Sequence, residues 1–339
     1  MNRLAPWLVA AATVAVALAL FALQGLSPLV AVTEIARGAF GSAGAWLATL
    51  RTTATLLLAA LGVLLCFRVG LWNIGAEGQL IVGALAATAV AQWTGHWLPA
   101  LLAGAGAGFL WALLPALLAV ARGVPEVLAT LMLNGVAFEL LRWLVSGPLQ
   151  ESSHQFPQSA PIAATARLPE IAITSSGGIH LGLPLALLLL VATAWTLTRT
   201  RVGLLLRVAA QSPRLARAQG FPLGRARALA FALGGACAGL AGAVQLLGVA
   251  RLADRSLAQG AGYAAVAIAL LAGLRTAALP FAALLFAALA NGTNALQLAA
   301  DLPGIDRFGL VLQGLVILAV VATLALRRRS AGTMSGARS

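Results

Sequence analysis

The sequence contains no lysine, so all 22 of its basic residues are arginine. A phosphate-binding P-loop of the form G-x-x-x-x-G-K-[ST] needs a lysine at the β- and γ-phosphates. This chain therefore has no such site for ATP. Acidic residues are also few, with nine copies, and charged residues make up only 9% of the chain. Too few polar groups remain to cover a water-soluble surface.

Histidine and cysteine are scarce as well, with three and two copies. His96, His154 and His180 fall in loops or at the ends of apolar segments, whereas Cys66 and Cys237 lie inside such segments. Cysteines in that position argue against a structural disulfide. No H-E-x-x-H pair, metal-ligand cysteine set or Ser-His arrangement occurs within an apolar segment, so we expect no catalytic residue, no metal and no cofactor.

Apolar residues dominate what is present: they form 61% of the chain, and the mean hydropathy is +0.95. A transmembrane helix needs about 20 mainly apolar residues, and lipid leaves backbone groups no partner except each other. We therefore predict an all-α polytopic membrane bundle, forming one transmembrane domain over residues 1–339. About ten helices are expected, at 6–24, 46–66, 75–93, 97–120, 126–145, 181–199, 226–249, 261–275, 277–298 and 308–326.

The arginines predict the orientation of this bundle. If both termini are cytoplasmic, fifteen of the 22 arginines lie on the inner side, as the positive-inside rule favours. The net charge of +13 then reflects topology and contact with anionic lipid heads, and nucleic-acid binding is not needed to explain it.

The segment at 70–83, GLWNIGAEGQLIVG, places three polar side chains where an apolar helix begins: Asn73, Glu77 and Gln79. Intramembrane charges are costly unless they are paired or wetted. One interpretation is a substrate site or gate at a glycine-interrupted helix. The other is that Glu77 is a first-turn carboxylate, buried for structural reasons and stabilised by the helix dipole.

Further amides lie inside predicted helices, and they are candidates for the same substrate pathway. Asn291 and Asn294 are three residues apart and share a helix face. Asn134 and Gln245 are isolated. Each of these amides either lines a cavity or joins two helices by a hydrogen bond, and the sequence leaves both roles open.

Two connections are long. The one at about 146–180, predicted to be extracytoplasmic, is rich in Pro, Ser and Gly and is either a cap or a simple connector. The one at about 200–225, predicted to be cytoplasmic, combines arginines with apolar residues at helical spacing. It is either a basic helix lying on lipid or a docking surface for a cytoplasmic partner.

Five segments together resemble a known family. They are GLWNIGAEGQ, PEVLATLMLN at 125–134, VGLLLRVAAQSPRLARAQGF at 202–221, GGACAGLAGAVQLLG at 234–248 and GAGYAAVAIALLAG at 260–273. Their order resembles that of permease subunits of bacterial ATP-binding cassette (ABC) importers. Within that branched-chain-amino-acid-like family, the chain resembles the ribose, simple-sugar and nucleoside branch, and the first two segments are most similar to nucleoside-type permeases.

The resemblance implies a multi-pass permease of the bacterial cytoplasmic membrane that carries nucleosides, or alternatively ribose or another simple sugar. It implies two partner ATPase subunits that bind ATP and Mg, a second permease expected to be different from this one, and an extracytoplasmic substrate-binding protein. It also implies that the 200–225 connection couples to the ATPase. The coupling residues expected there are Gly203, Arg207, Pro213, Arg214, Arg217 and Gly220.

Two further hypotheses remain. The predicted helices divide into two halves of five, which allows an inverted repeat in which the starts of the third and eighth helices correspond and flank the substrate path. Alternatively, the chain is a secondary transporter that needs no ATPase and uses Glu77 as its proton or sodium carboxylate.

Overall fold

The computed structural model describes residues 5–23, 25–174, 177–218, 220–221, 223–257 and 260–300, together with six isolated positions beyond residue 310. Twelve α-helices lie in the continuous ranges. They are α1 (Ala5–Leu23), α2 (Pro28–Phe40), α3 (Ala43–Arg68), α4 (Ala76–Thr94), α5 (Trp97–Arg122), α6 (Glu126–Val145), α7 (Gly182–Arg199), α8 (Arg201–Gln211), α9 (Pro213–Ala218), α10 (Leu223–Gln245), α11 (Ala261–Leu271) and α12 (Leu279–Ala300). The predicted all-α polytopic bundle is confirmed.

The count of about ten transmembrane helices is not confirmed. Within the described residues, six helices are long and apolar enough to cross a membrane, and a seventh crossing results if α1 and α2 form one bent span. The six are Ala43–Arg68, Trp97–Ala119, Glu126–Val145, Gly182–Arg199, Leu223–Ala250 and Thr276–Leu298. The span predicted at 308–326 lies outside the continuously described residues.

Three elements account for the remaining difference between the predicted and the observed number of transmembrane helices. The helix α2 was not predicted; it follows α1 after a bend of 103° and includes Glu34 and Arg37. The predicted span at 75–93 is a helix, α4, but not one of the six. The predicted span at 261–275 forms α11, which has only 11 residues. At 1.5 Å per residue it is about 16 Å long, roughly half the thickness of a bilayer core.

Glycines let α10 pack directly against α4 and α5. A Cβ atom on Gly239 would overlap the carbonyl oxygen of Gly104, and one on Gly242 would overlap that of Leu80. A Cβ atom on Gly108 would overlap the carbonyl oxygen of Gly235. Such backbone contacts are typical of membrane helices, where small residues allow close approach. This contact forms the centre of the bundle.

Contact clustering divides the chain into two compact units, and the boundaries fall inside α3 and α12. The first unit comprises residues 1–49 and 285–339. In its described part, Phe21 of α1, Ala31 of α2 and Leu296 of α12 pack together. The second unit comprises residues 50–284 and contains all the features of the candidate site below except Asn291 and Asn294.

The 146–180 connection is folded against the end of α10 and is more than a loose connector. It contains a two-stranded antiparallel hairpin, β1 (Glu170–Thr174) and β2 (Gly177–His180). Ser159 donates its backbone N–H to Ala253 O at 2.8 Å, and its hydroxyl accepts the Ala253 N–H at 2.9 Å. The α10 helix itself continues as a π-helical segment, Leu246–Ala250.

Candidate functional site

A pair of buried amides holds the α3–α4 connection. Asn73 donates from Nδ2 to Oε1 of Gln79 at 3.0 Å, and Gln79 donates from Nε2 to Oδ1 of Asn73 at 3.2 Å. The same Asn73 oxygen accepts the backbone N–H of Gly75 at 3.0 Å. The reciprocal bonds satisfy polar groups that no water reaches, as buried amides require. The connection therefore enters α4 in one fixed conformation.

Asn134 of α6 ties this connection to α11. Its Oδ1 accepts the backbone N–H of Gly78 at 2.9 Å, and its Nδ2 donates to Ile74 O at 3.0 Å. The same nitrogen lies 3.2 Å from the hydroxyl of Tyr263, the chain's single tyrosine. Asn134 is eight residues from the start of α6, which is about 12 Å along the helix. Hence α11 begins against a side chain that is buried in the bundle.

Glu77 caps the start of α11. Its Oε1 accepts the backbone N–H of Gly260 at 2.9 Å, while its Oε2 accepts those of Gly262 at 2.6 Å and Tyr263 at 3.3 Å. The side chain is fully buried, and the ion pairs among the described residues do not include it. The free N–H groups and positive dipole end of a helix N-terminus stabilise such a carboxylate.

Arg68, the last residue of α3, holds the other end of α11. Its Nε and Nη2 atoms donate to the carbonyl oxygen of Leu274 at 2.9 and 2.6 Å. A cation at a helix C-terminus complements the negative end of the dipole. Residues 68 and 77 border a single connection, so α11 is held at both ends by one short stretch of chain. We call this pair of contacts the α11 clamp.

A cavity of about 210 Å³ lies where α10 gives way to the segment that leads to α11. Its lining residues are Gln245, Ala250, Leu252, Asp254, Ser256 and Leu257. Gln245 accepts the hydroxyl of Thr55 at 3.1 Å. Thr55 is twelve residues into α3, about 18 Å along a helix of about 39 Å. Gln245 is thus level with the middle of α3, and we call the cavity that it lines the α10–α11 cavity.

His180, at the end of β2, is buried where the hairpin meets α10. Its Nδ1 accepts the backbone N–H of Gly182 at 3.2 Å, and a Cβ atom on Gly248 would press on its ring. Burial, and next the nearby positive charge of Arg51, lower the pKa of His180 to about 4, although the carboxylate of Glu170 acts in the opposite direction. His180 is therefore neutral at pH 7.

The basic segment at 200–225 forms two short helices. The hydroxyl of Thr200 caps α8 by accepting the N–H of Gly203 at 3.2 Å, and a Cβ atom on Gly203 would overlap the carbonyl oxygen of Thr196. Arg207 on α8 and Arg214 on α9 are exposed. Pro213 begins α9, Arg217 lies within it, and Gly220 has φ +74° beyond its end.

Four of the seven predicted pathway residues come together in the structure: Asn73, Glu77, Gln79 and Asn134. Gln245 lines the α10–α11 cavity instead. The other two belong to the first unit, where Asn291 donates to the Thr49 hydroxyl at 3.5 Å and Asn294 is exposed.

Sequence reasoning missed three participants: Arg68, Thr55 and Asp254. Arg68 was missed because an arginine at a helix end is interpreted as a sign of membrane topology. Thr55 was missed because threonine is common in membrane helices. Asp254 is one of only nine acidic residues in the chain. That scarcity was a usable signal.

Known proteins resemble this chain over most of its length. Residues 45–321 match the family described as "Branched-chain amino acid transport system / permease component". A glucose ABC transporter permease of Haloferax volcanii is 36% identical over 82% of this chain and 76% of its own. A guanosine ABC transporter permease of Bacillus subtilis is 30% identical over 82% and 81%. A nucleoside ABC transporter permease of Lactococcus lactis is 28% identical over 79% and 77%. No solved structure matches.

Proposed function

Since the chain belongs to the branched-chain amino acid transport system permease component family, we propose that it forms half of a translocation pathway for nucleosides. That it is a multi-pass permease subunit of an ABC importer follows from the family and the relatives. The cargo, the partners and the working residues are the proposed part.

The observation that carries the proposal is the half-length helix α11. Its N-terminus is held by the buried side chains of Glu77 and Asn134, and a cavity opens along the segment that leads to it. Transporters place substrates at discontinuous helices of this kind, where free backbone groups and buried polar side chains meet. Asn73 and Gln79 hold the neighbouring connection in place, and Gln245 faces the cavity.

Energy for transport is supplied by partner ATPase subunits, which bind ATP and Mg. The absence of lysine supports this division of labour, because this chain cannot build a P-loop. The remaining partners proposed are a second, different permease and an extracytoplasmic substrate-binding protein. The chain sits in the cytoplasmic membrane with both termini inside, an orientation supported by the arginine distribution.

Nucleosides are the proposed cargo because two of the relatives carry guanosine or nucleosides by name and because the 70–83 and 125–134 segments resemble nucleoside-type permeases. Glucose is the second candidate, favoured by the relative of 36% identity. Both cargoes are polar solutes that present several hydroxyl groups.

The first experiment is affinity purification of the chain from its native membrane in mild detergent, followed by mass spectrometry. We expect a P-loop ATPase and a second permease to be retained, and vesicles holding the purified assembly with its binding protein to take up guanosine. Uptake of glucose alone would establish the second candidate. A folded chain recovered without any ATPase, and active in proton-coupled uptake, would instead indicate a secondary transporter that uses Glu77.

A further inference from the structure

We propose that the α10–α11 cavity binds vicinal hydroxyl groups on the sugar ring of the cargo, with Asp254 as acceptor and Gln245 as donor. This proposal rests on the proposed function, since it concerns the cargo of the same permease. It names the chemical group that a nucleoside and a hexose share, and it assigns that group a binding place in this chain.

Gln245 offers donors to the cavity. Its Oε1 accepts the hydroxyl of Thr55 at 3.1 Å, which fixes the orientation of the amide. Among the described residues, nothing accepts from its Nε2 group. The two N–H donors on that nitrogen therefore remain for a ligand oxygen in the cavity that the side chain lines.

Asp254 offers the acceptor. Its Oδ1 accepts the backbone N–H of Ser256 at 2.9 Å and the Ser256 hydroxyl at 2.7 Å. These bonds hold the carboxylate in place, and within the described part of the chain its Oδ2 has no partner. A carboxylate oxygen and an amide N–H₂ group in the lining of one cavity match a vicinal diol, in which one hydroxyl donates and its neighbour accepts. Hydrogen bonds to a charged group are the stronger kind.

The wall that carries Asp254 is already rigid. The neighbouring Ala253 is fully buried and exchanges two hydrogen bonds with Ser159 of the 146–180 connection. The positive φ of Arg251, +64°, ends the π-helical segment and turns the chain into this wall. A preformed wall lowers the entropic cost of binding. Leu252 and Leu257 are the larger apolar residues of the lining.

The lining carries one charged side chain. Asp254 is the single charged residue among the six that line the cavity, and the exposed Arg255 follows it in the chain. The cavity therefore offers a carboxylate acceptor to a neutral, hydroxyl-bearing ring.

The test measures binding to the purified core complex of permeases and ATPases, without the extracytoplasmic binding protein, whose own affinity would mask the cavity. Equilibrium dialysis with radiolabelled guanosine and D-glucose compares the natural chain with Asp254→Asn and Gln245→Ala. The matched controls are Glu139→Gln and Gln155→Ala, both exposed positions outside the cavity lining. Unlabelled 2′,3′-dideoxyguanosine serves as the competitor.

We expect Asp254→Asn and Gln245→Ala each to weaken binding of the carried solute at least about fivefold, as the loss of one hydrogen bond to a charged or neutral partner predicts. The controls stay unchanged. If guanosine is the bound solute, dideoxyguanosine competes poorly. The dideoxy analogue needs no mutation, so it tests the proposal even if a variant fails to fold.

Uptake by the complete importer separates the two proposals. If the complete importer carries guanosine or glucose but the core complex binds neither, or both variants bind like the natural chain, the cavity assignment is wrong. Guanosine uptake then still supports the proposed nucleoside function, and uptake of glucose alone supports the second candidate. If the complete importer carries neither solute and the core complex binds neither, both proposals are wrong.

Discussion

At the scale of single residues, Glu77 shows how a carboxylate is retained inside an apolar bundle without a cation. Three backbone N–H groups at the start of α11 surround it, and two of them bind the same oxygen. The sequence predicted a polar residue at a helix start and offered a dipole as one reason. Glu77 lies in the first turn of its own helix, α4, but the sequence could not predict that its hydrogen-bond partners begin another helix, 183 residues further along the chain.

Replacing Glu77 by Gln tests this contact. One amide oxygen remains to accept, and the introduced N–H₂ group faces backbone donors, so at least one N–H loses its partner. We expect a loss of about 1–3 kcal/mol in unfolding free energy, the usual range for a buried unsatisfied group, and loss of transport. Thermal unfolding in detergent and guanosine uptake measure the two effects.

The control for Glu77→Gln is Glu139→Gln, which makes the same chemical change at an exposed ion pair with Arg142. Exposed pairs contribute about 0–1 kcal/mol, so this variant should resemble the natural chain. Equal stability of the two variants would show that the Glu77 contacts do not stabilise α11.

His180 predicts a dependence of stability on pH. The lowered pKa of the buried ring, about 4 against an ordinary 6.5, means that the unfolded chain takes up a proton first as the pH falls. Stability is therefore complete above about pH 6.5 and declines between 6.5 and 4, by roughly 2–3 kcal/mol in total. Unfolding midpoints at pH 7.5 and pH 5 in detergent measure the loss.

The variant His180→Asn should reduce this loss. Asparagine keeps an acceptor for the N–H of Gly182 but does not titrate. His154→Asn, at an exposed position of the same connection, is the control and should leave the loss intact. An unchanged pH profile in His180→Asn would assign the acid sensitivity to other groups.

At the scale of helices, α11 explains why composition overestimates membrane spans. Its sequence is as apolar as that of a full span, and nothing in it tells how deep it begins. The depth is set by contacts with distant residues, Glu77 and Asn134 at one end and Arg68 at the other. Just beyond its end, Gly273 and Leu274 both have positive φ angles. A positive φ is common for glycine but not for leucine, so the sequence does not predict it at Leu274.

The α5–α10 contact can be tested with two glycines of one helix. A Cβ atom on Gly108 would overlap the backbone of Gly235, whereas one on Gly106 would meet open space. Gly108→Ala must separate the helices and should cost about 1–3 kcal/mol, as overpacking does. Gly106→Ala should be neutral or stabilise by up to about 1 kcal/mol, because alanine favours helix.

Thermal unfolding of the two variants in the same detergent decides this. Similar midpoints for Gly108→Ala and Gly106→Ala would mean that α5 and α10 adjust without cost and that their close approach is not required.

At the scale of the whole molecule, apolar runs predicted the position of most helices but not their roles. Nine of the ten predicted spans coincide with described helices, because long apolar segments bounded by Gly, Pro and Arg are strong signals. The helix α2 was missed because Glu34 and Arg37 interrupt its apolar character. Ser159 pairs with Ala253 and so holds the cavity wall. The two residues are 94 positions apart, and a local sequence pattern does not predict a contact between residues so far apart.

Coupling to the ATPase is a property of the whole assembly, and it can be tested by mutating the basic segment at 200–225. Arg207→Glu and Arg214→Glu reverse exposed charges on α8 and α9. We expect normal insertion and stability, but substrate-stimulated ATP hydrolysis should fall severalfold because a docking contact is repelled. ATPase rates of the reconstituted importer measure it, with Arg167→Glu in the 146–180 connection as control. Full stimulation in both variants would leave this segment without a coupling role.

The α11 clamp also has a consequence for how the protein is made. Arg68 and Glu77 leave the ribosome long before α11 does, since 183 residues separate Glu77 from Gly260. Until α11 is synthesised, Glu77 and Arg68 lack the backbone groups that they bind in the folded protein. An 11-residue helix is also too short to be recognised as a membrane span when it leaves the ribosome. The insertion of α11 is therefore a late folding event, and it is directed by its contacts with Arg68 and Glu77. Nascent chains stopped before residue 260 should be preferred targets of membrane quality-control proteases.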